Sequence, residues 1–127
     1  MRRLERVLVV DDDPAVRAFL QDALRAEGYA VEAAPDAGEA LDRLWAEWDD
    51  QPDVLLLDLL LPEVDGKAFA ELYRALPVRH APIVLMSALP EAADVGLEID
   101  ARDVLRKPFD LDELLRRLRR ALQPPVP

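Results

Sequence analysis

The run Asp53-Val54-Leu55-Leu56-Leu57-Asp58-Leu59-Leu60-Leu61-Pro62 carries a carboxylate, Asp58, into an otherwise apolar segment that stops at a proline. A short Val/Leu run bounded in this way reads as a strand buried on both faces, as inside a parallel sheet. A carboxylate there is costly unless it ends the strand and meets partners or a metal ion. Either Asp58 sits at the rim of a sheet with a chemical task, or the segment is not a strand.

The flanking segments favour the first alternative. Arg6-Val7-Leu8-Val9-Val10 is a β-branched apolar run that breaks off at Asp11-Asp12-Asp13-Pro14. Asp13 is a good N-cap and Pro14 a good first helical residue, so a helix begins there. Val16, Phe19, Leu20, Ala23 and Leu24 mark its inner face, and Gly28 closes it. Tyr29 to Ala34 reads as a short strand whose Glu32 suits a sheet edge. Asp36 and Glu39 form an acidic capping box, after which Ala40, Leu41, Leu44, Trp45 and Trp48 share a face. Trp45 is expected as a core contact and Trp48 as its partly exposed neighbour. Asp49 to Pro52 is a turn.

Beyond Asp58, Pro62 to Gly66 is a loop that feeds a helix with Phe69, Leu72, Tyr73 and Leu76 facing inward, ended by Pro77. Ala81 to Ala88 is a buried strand ending in a hydroxyl, Ser87. Leu89 to Ile99, with Pro90 and Gly96, is expected to be a short or irregular helix. Val104-Leu105-Arg106 is a minimal strand with Lys107-Pro108 at its end. Asp110 and Glu113 open a last helix striped by Leu111, Leu114, Leu115, Leu118 and Leu122. Arg119 and Arg120 lie in its final turn, where the helix dipole favours cations, and Pro124 and Pro125 stop it. Strands alternating with helices in this way define an α/β protein: a parallel sheet with helices on both faces and right-handed crossovers.

At 127 residues the chain is expected to be one domain, residues 1–127, able to bury its own core. It has no cysteine, which excludes disulfides, thiolate metal sites and thiol catalysis. A net charge of −10 disfavours direct binding to nucleic acid, where phosphate neutralisation supplies most of the affinity. No apolar stretch is long enough to span a bilayer, and no signal-peptide core follows the basic start, so a cytoplasmic protein is expected. Lys67 and Lys107 are the only lysines in an arginine-rich chain, which sets Lys107 apart.

In sheets of this kind ligands sit outside the carboxyl ends of the strands. The groups just past those ends are Asp11 and Asp12, Asp58, Ser87 and Lys107. If their strands are neighbours, the five side chains converge. Clustered carboxylates repel one another unless a cation joins them, and an all-oxygen set suits Mg²⁺ or Mn²⁺. A lysine and a hydroxyl opposite would hold the oxygens of a phosphoryl group. A carboxylate can itself be the phosphoryl acceptor, and Asp58 needs no base because it is already ionised.

With these motifs in place, the sequence resembles the receiver domain of two-component response regulators, in its single-domain, chemotaxis-regulator-like form. The matching residues are Val7 to Pro14, Leu55 to Pro62 with Asp65-Gly66, Ser87-Ala88, and Lys107-Pro108-Phe109. The resemblance implies a flavodoxin-like, three-layer doubly wound fold with five strands in the order 2-1-3-4-5 and five helices. It implies that Asp58 is the phosphoacceptor and that the donor is a sensor histidine kinase or phosphotransfer protein. Asp12, Asp58 and the backbone carbonyl of Leu60 would ligate Mg²⁺, with Asp11 acting through a water. Ser87 would bind a phosphoryl oxygen, and Lys107 would pair with Asp58 and then with the phosphate, aimed by a cis peptide bond to Pro108. Output would be to a downstream protein effector, from a monomer or a phosphorylation-dependent homodimer, with at most slow self-dephosphorylation and no other enzymatic activity. Val104 stands where family members often carry an aromatic switch residue.

Blander assignments stand beside these. Asp13 is a helix cap rather than a ligand. Asp11-Asp12 could be turn chemistry alone, and His80 a solvated bystander in its loop. Arg116, Arg117, Arg119 and Arg120 are a solvated helix face. Other functions are a receiver cut from a larger DNA-binding transcription regulator, a Mg²⁺-dependent phosphatase or phosphotransferase of similar fold, and a scaffold that is never phosphorylated. The phosphatase would need an acid/base two residues after Asp58, where Leu60 stands.

Overall fold

The computed structural model describes residues 3–124, so the Met1-Arg2 start and the Pro125 stop lie outside the described residues. Strands β1 (Arg6–Val10), β2 (Ala30–Ala34), β3 (Val54–Asp58), β4 (Ile83–Ser87) and β5 (Asp103–Arg106) alternate with helices α1 (Pro14–Ala26), α2 (Ala37–Ala46), α3 (Gly66–Ala75), α4 (Ala92–Glu98) and α5 (Leu111–Leu122). All strand pairs are parallel, in the order β2-β1-β3-β4-β5, as the resemblance implied. β3 is central and buried along its whole length, which explains why its sequence is apolar without alternation. Glu32 lies on the edge strand β2 and pairs with Arg43 of α2.

The two faces of the sheet carry separate cores, and the strands feed them alternately. Leu8, Val10, Leu55, Leu57, Ile83 and Leu85 pack with Leu44 of α2, Phe69 and Tyr73 of α3 and Ala92 of α4. Val7, Val9, Val54, Leu56, Val84 and Met86 pack on the opposite face with Leu20 and Leu24 of α1 and Leu114, Leu115 and Leu118 of α5. Asp13, Asp36 and Asp110 cap their helices as expected, each accepting a backbone N–H of the following turn, and Asp65 does the same for α3, where only a loop was expected. Gly28, just past α1, has φ +94, a conformation that suits glycine. The buried Tyr73 hydroxyl accepts the Ala81 N–H at 2.8 Å and donates to Gln51 at 2.9 Å, while Gln51 donates to the Leu44 and Glu47 carbonyls at the end of α2.

Three inward-facing expectations fail for one physical reason. Phe19 and Leu72 are each 49% exposed and Trp45 is 54% exposed, so Trp45 is no core contact. A helix resting on a sheet buries only a narrow stripe. Leu44 fills that stripe on α2, and its successor Trp45 is turned about 100° away around the helix. Trp48, 62% exposed, lies beyond Ala46 and therefore beyond the helical face altogether. Leu89 to Ile99 contains the short α4, and Gly96 faces β5 closely: a Cβ there would lie 2.6 Å from Val104 Cγ2. His80 is not a plain bystander, since its ring packs edge-on against Tyr73 at 5.2 Å and hydrogen-bonds to Leu76 O.

Candidate functional site

The carboxyl ends of β1, β3, β4 and β5 lie side by side and bring the expected groups together. Asp11, at the end of β1, is fully buried; its Oδ1 accepts the Asp13 N–H at 2.9 Å and its Oδ2 accepts from Lys107 Nζ at 3.2 Å. Asp12 is exposed beside it, while Asp13 turns away to cap α1. Asp58 closes β3 at 7% exposure; its Oδ1 accepts the Leu60 N–H at 3.0 Å and its Oδ2 accepts from Lys107 Nζ at 3.3 Å. Ser87 ends β4, where its hydroxyl accepts the Leu89 N–H at 2.9 Å and its carbonyl accepts the Lys107 N–H at 2.9 Å. The Lys107–Pro108 peptide is cis. The loop after Asp58 is packed tightly: a Cβ on Gly66 would come 2.8 Å from Leu59 Cα and 3.0 Å from Asp58 O, so only glycine fits there.

Charge is concentrated here. Carboxylate oxygens of Asp11, Asp12 and Asp58 all lie within 4.8 Å of one another. Burial, reinforced by the Asp11 carboxylate, raises the pKa of Asp58 above the ordinary value against the opposing pull of the Leu60 N–H and of Lys107. Burial alone would lower the pKa of Lys107, but Asp58 and Asp11 together raise it, so the ammonium stays charged. Lys107 compensates one of the three negative charges, and a hard divalent cation would match the remaining two. The donor set is all oxygen and one member, Asp12, is open to solvent, so the residues fit a cation such as Mg²⁺ that keeps waters.

Two contacts were not foreseen. Lys107 bridges Asp11 as well as Asp58, where only the Asp58 pairing was expected. Arg17, one turn into α1, donates to the Asp11 carbonyl at 2.7 Å and so braces the acidic loop. No local signal marks either contact, because the acceptor that a long cationic side chain reaches is set by the packing of distant segments. The arginines of α5 are not all solvated either, since Arg117 pairs with Asp103 at 2.8 Å.

The sequence matches the response regulator receiver domain over residues 7–119. Response regulator MprA of Mycobacterium tuberculosis (strain H37Rv) is 42% identical over 120 residues, covering 93% of this chain and 50% of that protein. The chain thus spans about half the length of the curated relatives it matches. Chemotaxis response regulator CheY4 of Vibrio cholerae superposes with a TM-score of 0.85 at 31% identity, covering 94% of this chain and all of that one (100%). The receiver domain of sensor histidine kinase PA1611 from Pseudomonas aeruginosa PAO1, at 29% identity, superposes with a TM-score of 0.82, covering 94% of this chain and 98% of that one. That structure has a magnesium ion coordinated in its active-site cleft.

Proposed function

The chain belongs to the response regulator receiver domain family, and from that membership we propose that Asp58 is its phosphoacceptor, charged by the phosphohistidine of a sensor histidine kinase or phosphotransfer protein. The observation that carries the assignment is the setting of Asp58: a carboxylate at the end of a fully buried strand, held by a backbone N–H and a lysine beside other carboxylates. One Asp58 oxygen attacks phosphorus, the new O–P bond forms as the P–N bond breaks, and the electron pair leaves on the donor imidazole, which then takes a proton. Lys107 follows the charge from Asp58 onto a phosphoryl oxygen. The Ser87 hydroxyl accepts from Leu89, so its own hydrogen is free to donate to a second phosphoryl oxygen. Asp12, Asp58 and the Leu60 carbonyl would hold Mg²⁺ (or Mn²⁺), with Asp11 acting through a water. When bound, the cation spreads the charge of the transferring group.

Residues 1–127 then act as one receiver unit whose output is a phosphorylation-dependent contact with a downstream protein effector, not with nucleic acid, as a monomer or phosphorylation-dependent homodimer. Among the described residues no helix is long and apolar enough to cross a membrane; the receiver would work in the cytoplasm, where the proposed phosphoryl donor meets it. The residue two past Asp58 is the apolar Leu60, 58% exposed, where a phosphatase of similar fold needs an acid/base. The site therefore receives a phosphoryl group and loses it slowly to water, without turnover on other substrates. The half-length match to MprA favours a second arrangement, in which the same receiver is part of a longer regulator.

Incubation with Mg²⁺ and a small acyl phosphate should add one hydroxylamine-labile phosphoryl group, read by intact mass. The same yield in Asp58→Ala would refute the assignment.

A further inference from the structure

Trp45 and Trp48 are the only tryptophans of the chain, and both stand more than half exposed, Trp45 in the last turn of α2 and Trp48 just past its end. Large indoles are normally well covered, and where they are not they serve as contact anchors. The pair lies at the opposite end of the sheet from Asp58, because the adjoining Glu47 and Asp50 both pair with Arg6, the first residue of β1. Asp42, one turn before Trp45, and Asp49, directly after Trp48, are exposed and make no ion pair among the described residues. Trp48 also borders a cavity of about 160 Å³ with Asp49, Asp50, Gln51, Arg3 and Arg79, of which Arg3 is already paired with Asp53.

The chemistry of the occupant follows by elimination. A purely apolar partner would cover Asp42 and Asp49 without satisfying them, at a cost that offsets the burial of the indoles. An acidic partner meets a chain of charge −10. A guanidinium can stack on an indole face and still donate to a neighbouring carboxylate, whereas an ammonium is a more strongly hydrated point charge without a planar face. We infer that the Trp45–Trp48 edge of α2 is a docking surface for an arginine-bearing protein segment, whose guanidinium groups stack on the indoles and pair with Asp42 and Asp49. This surface is separate from the phosphoacceptor site and does not depend on the role of Asp58.

Because both tryptophans lie in the patch, intrinsic fluorescence reads it without a label. An alternating arginine–alanine peptide titrated into the whole chain should give a saturable change in indole emission, about fivefold tighter than a lysine–alanine peptide of equal length. The paired substitution Asp42→Asn with Asp49→Asn should weaken it at least about fivefold, whereas Asp22→Asn, on the exposed face of α1, should leave it unchanged. Trp45→Ala, at an exposed site, should stay folded and bind less, with Trp48 as the remaining reporter. Equal affinity for the two peptides, or affinity retained in the Asp42/Asp49 variant, would overturn the inference. So would a concentration-dependent emission shift without peptide that coincides with dimer formation in sedimentation, because the patch would then be covered by a second copy of the chain.

Discussion

Asp58 is held in tension between groups that oppose its charge and groups that need it. Burial and the neighbouring Asp11 raise its pKa, while Leu60 N–H and Lys107 hold it down only in part. A carboxyl whose folded pKa lies above its unfolded value, here 3.8, contributes stability below that pH and loses it as pH rises through the folded value. Without divalent cation, Asp58→Asn should therefore be more stable than the wild type at neutral pH. That advantage should shrink as the pH falls towards 4, the outcome that denaturant melts across pH would check. Lys107→Ala has the opposite sign: it leaves Asp11 and Asp58 facing each other without a cation, and should cost about 1–3 kcal/mol of stability. A neutral result in urea unfolding would show that solvent or ions replace the ammonium. Asp11, Asp12, Asp58, Ser87 and Lys107 were legible in the sequence because each follows an apolar run at a strand end. The Arg17 brace and the second contact of Lys107 were not, because nothing local marks an arginine or lysine side chain as reaching a particular acceptor.

Between elements, two glycines set the geometry through absent side chains. Gly66 lets the start of α3 lie against the backbone of Leu59 and Asp58, so Gly66→Ala should displace the loop that follows Asp58. The expected cost is about 1–3 kcal/mol, with slower phosphoryl uptake from an acyl phosphate. Unchanged uptake would separate the packing of this loop from its chemistry. Gly96 does the same for α4 over β5. Gly96→Ala drives a methyl into Val104, a β-branched side chain that cannot swing aside, and should destabilise the fold despite the gain of up to about 1 kcal/mol in helix propensity. In a Val104→Ala background the same change should become neutral or stabilising, and a double-mutant cycle without such coupling would show that the contact relaxes freely. The sequence marked Leu89–Ile99 as short or irregular because of Pro90 and Gly96. It could not show that Gly96 faces Val104, since the pairing depends on where α4 lands on the sheet.

For the molecule as a whole, net charge and the carboxylate cluster act together. With −10 on a small domain, self-repulsion opposes the compact state, and the three strand-end carboxylates concentrate that repulsion at one end. Mg²⁺ should raise the melting temperature of the wild type and raise it much less in Asp12→Ala; equal shifts in scanning calorimetry would remove Asp12 as a ligand. The sequence by itself determined the alternation of strands and helices, the caps at Asp13, Asp36 and Asp110, and the groups at the strand ends. Apolar runs, Asp-initiated helices and a carboxylate that ends a strand are local signals, readable within a few residues. Only the tertiary structure decided that Lys107 is shared by two carboxylates, that Gly96 lies against Val104, and that the Trp45 indole faces outward. The first rests on a contact between residues 96 apart in the chain, Asp11 and Lys107, and the other two on where each helix lands and which narrow stripe of it meets the sheet.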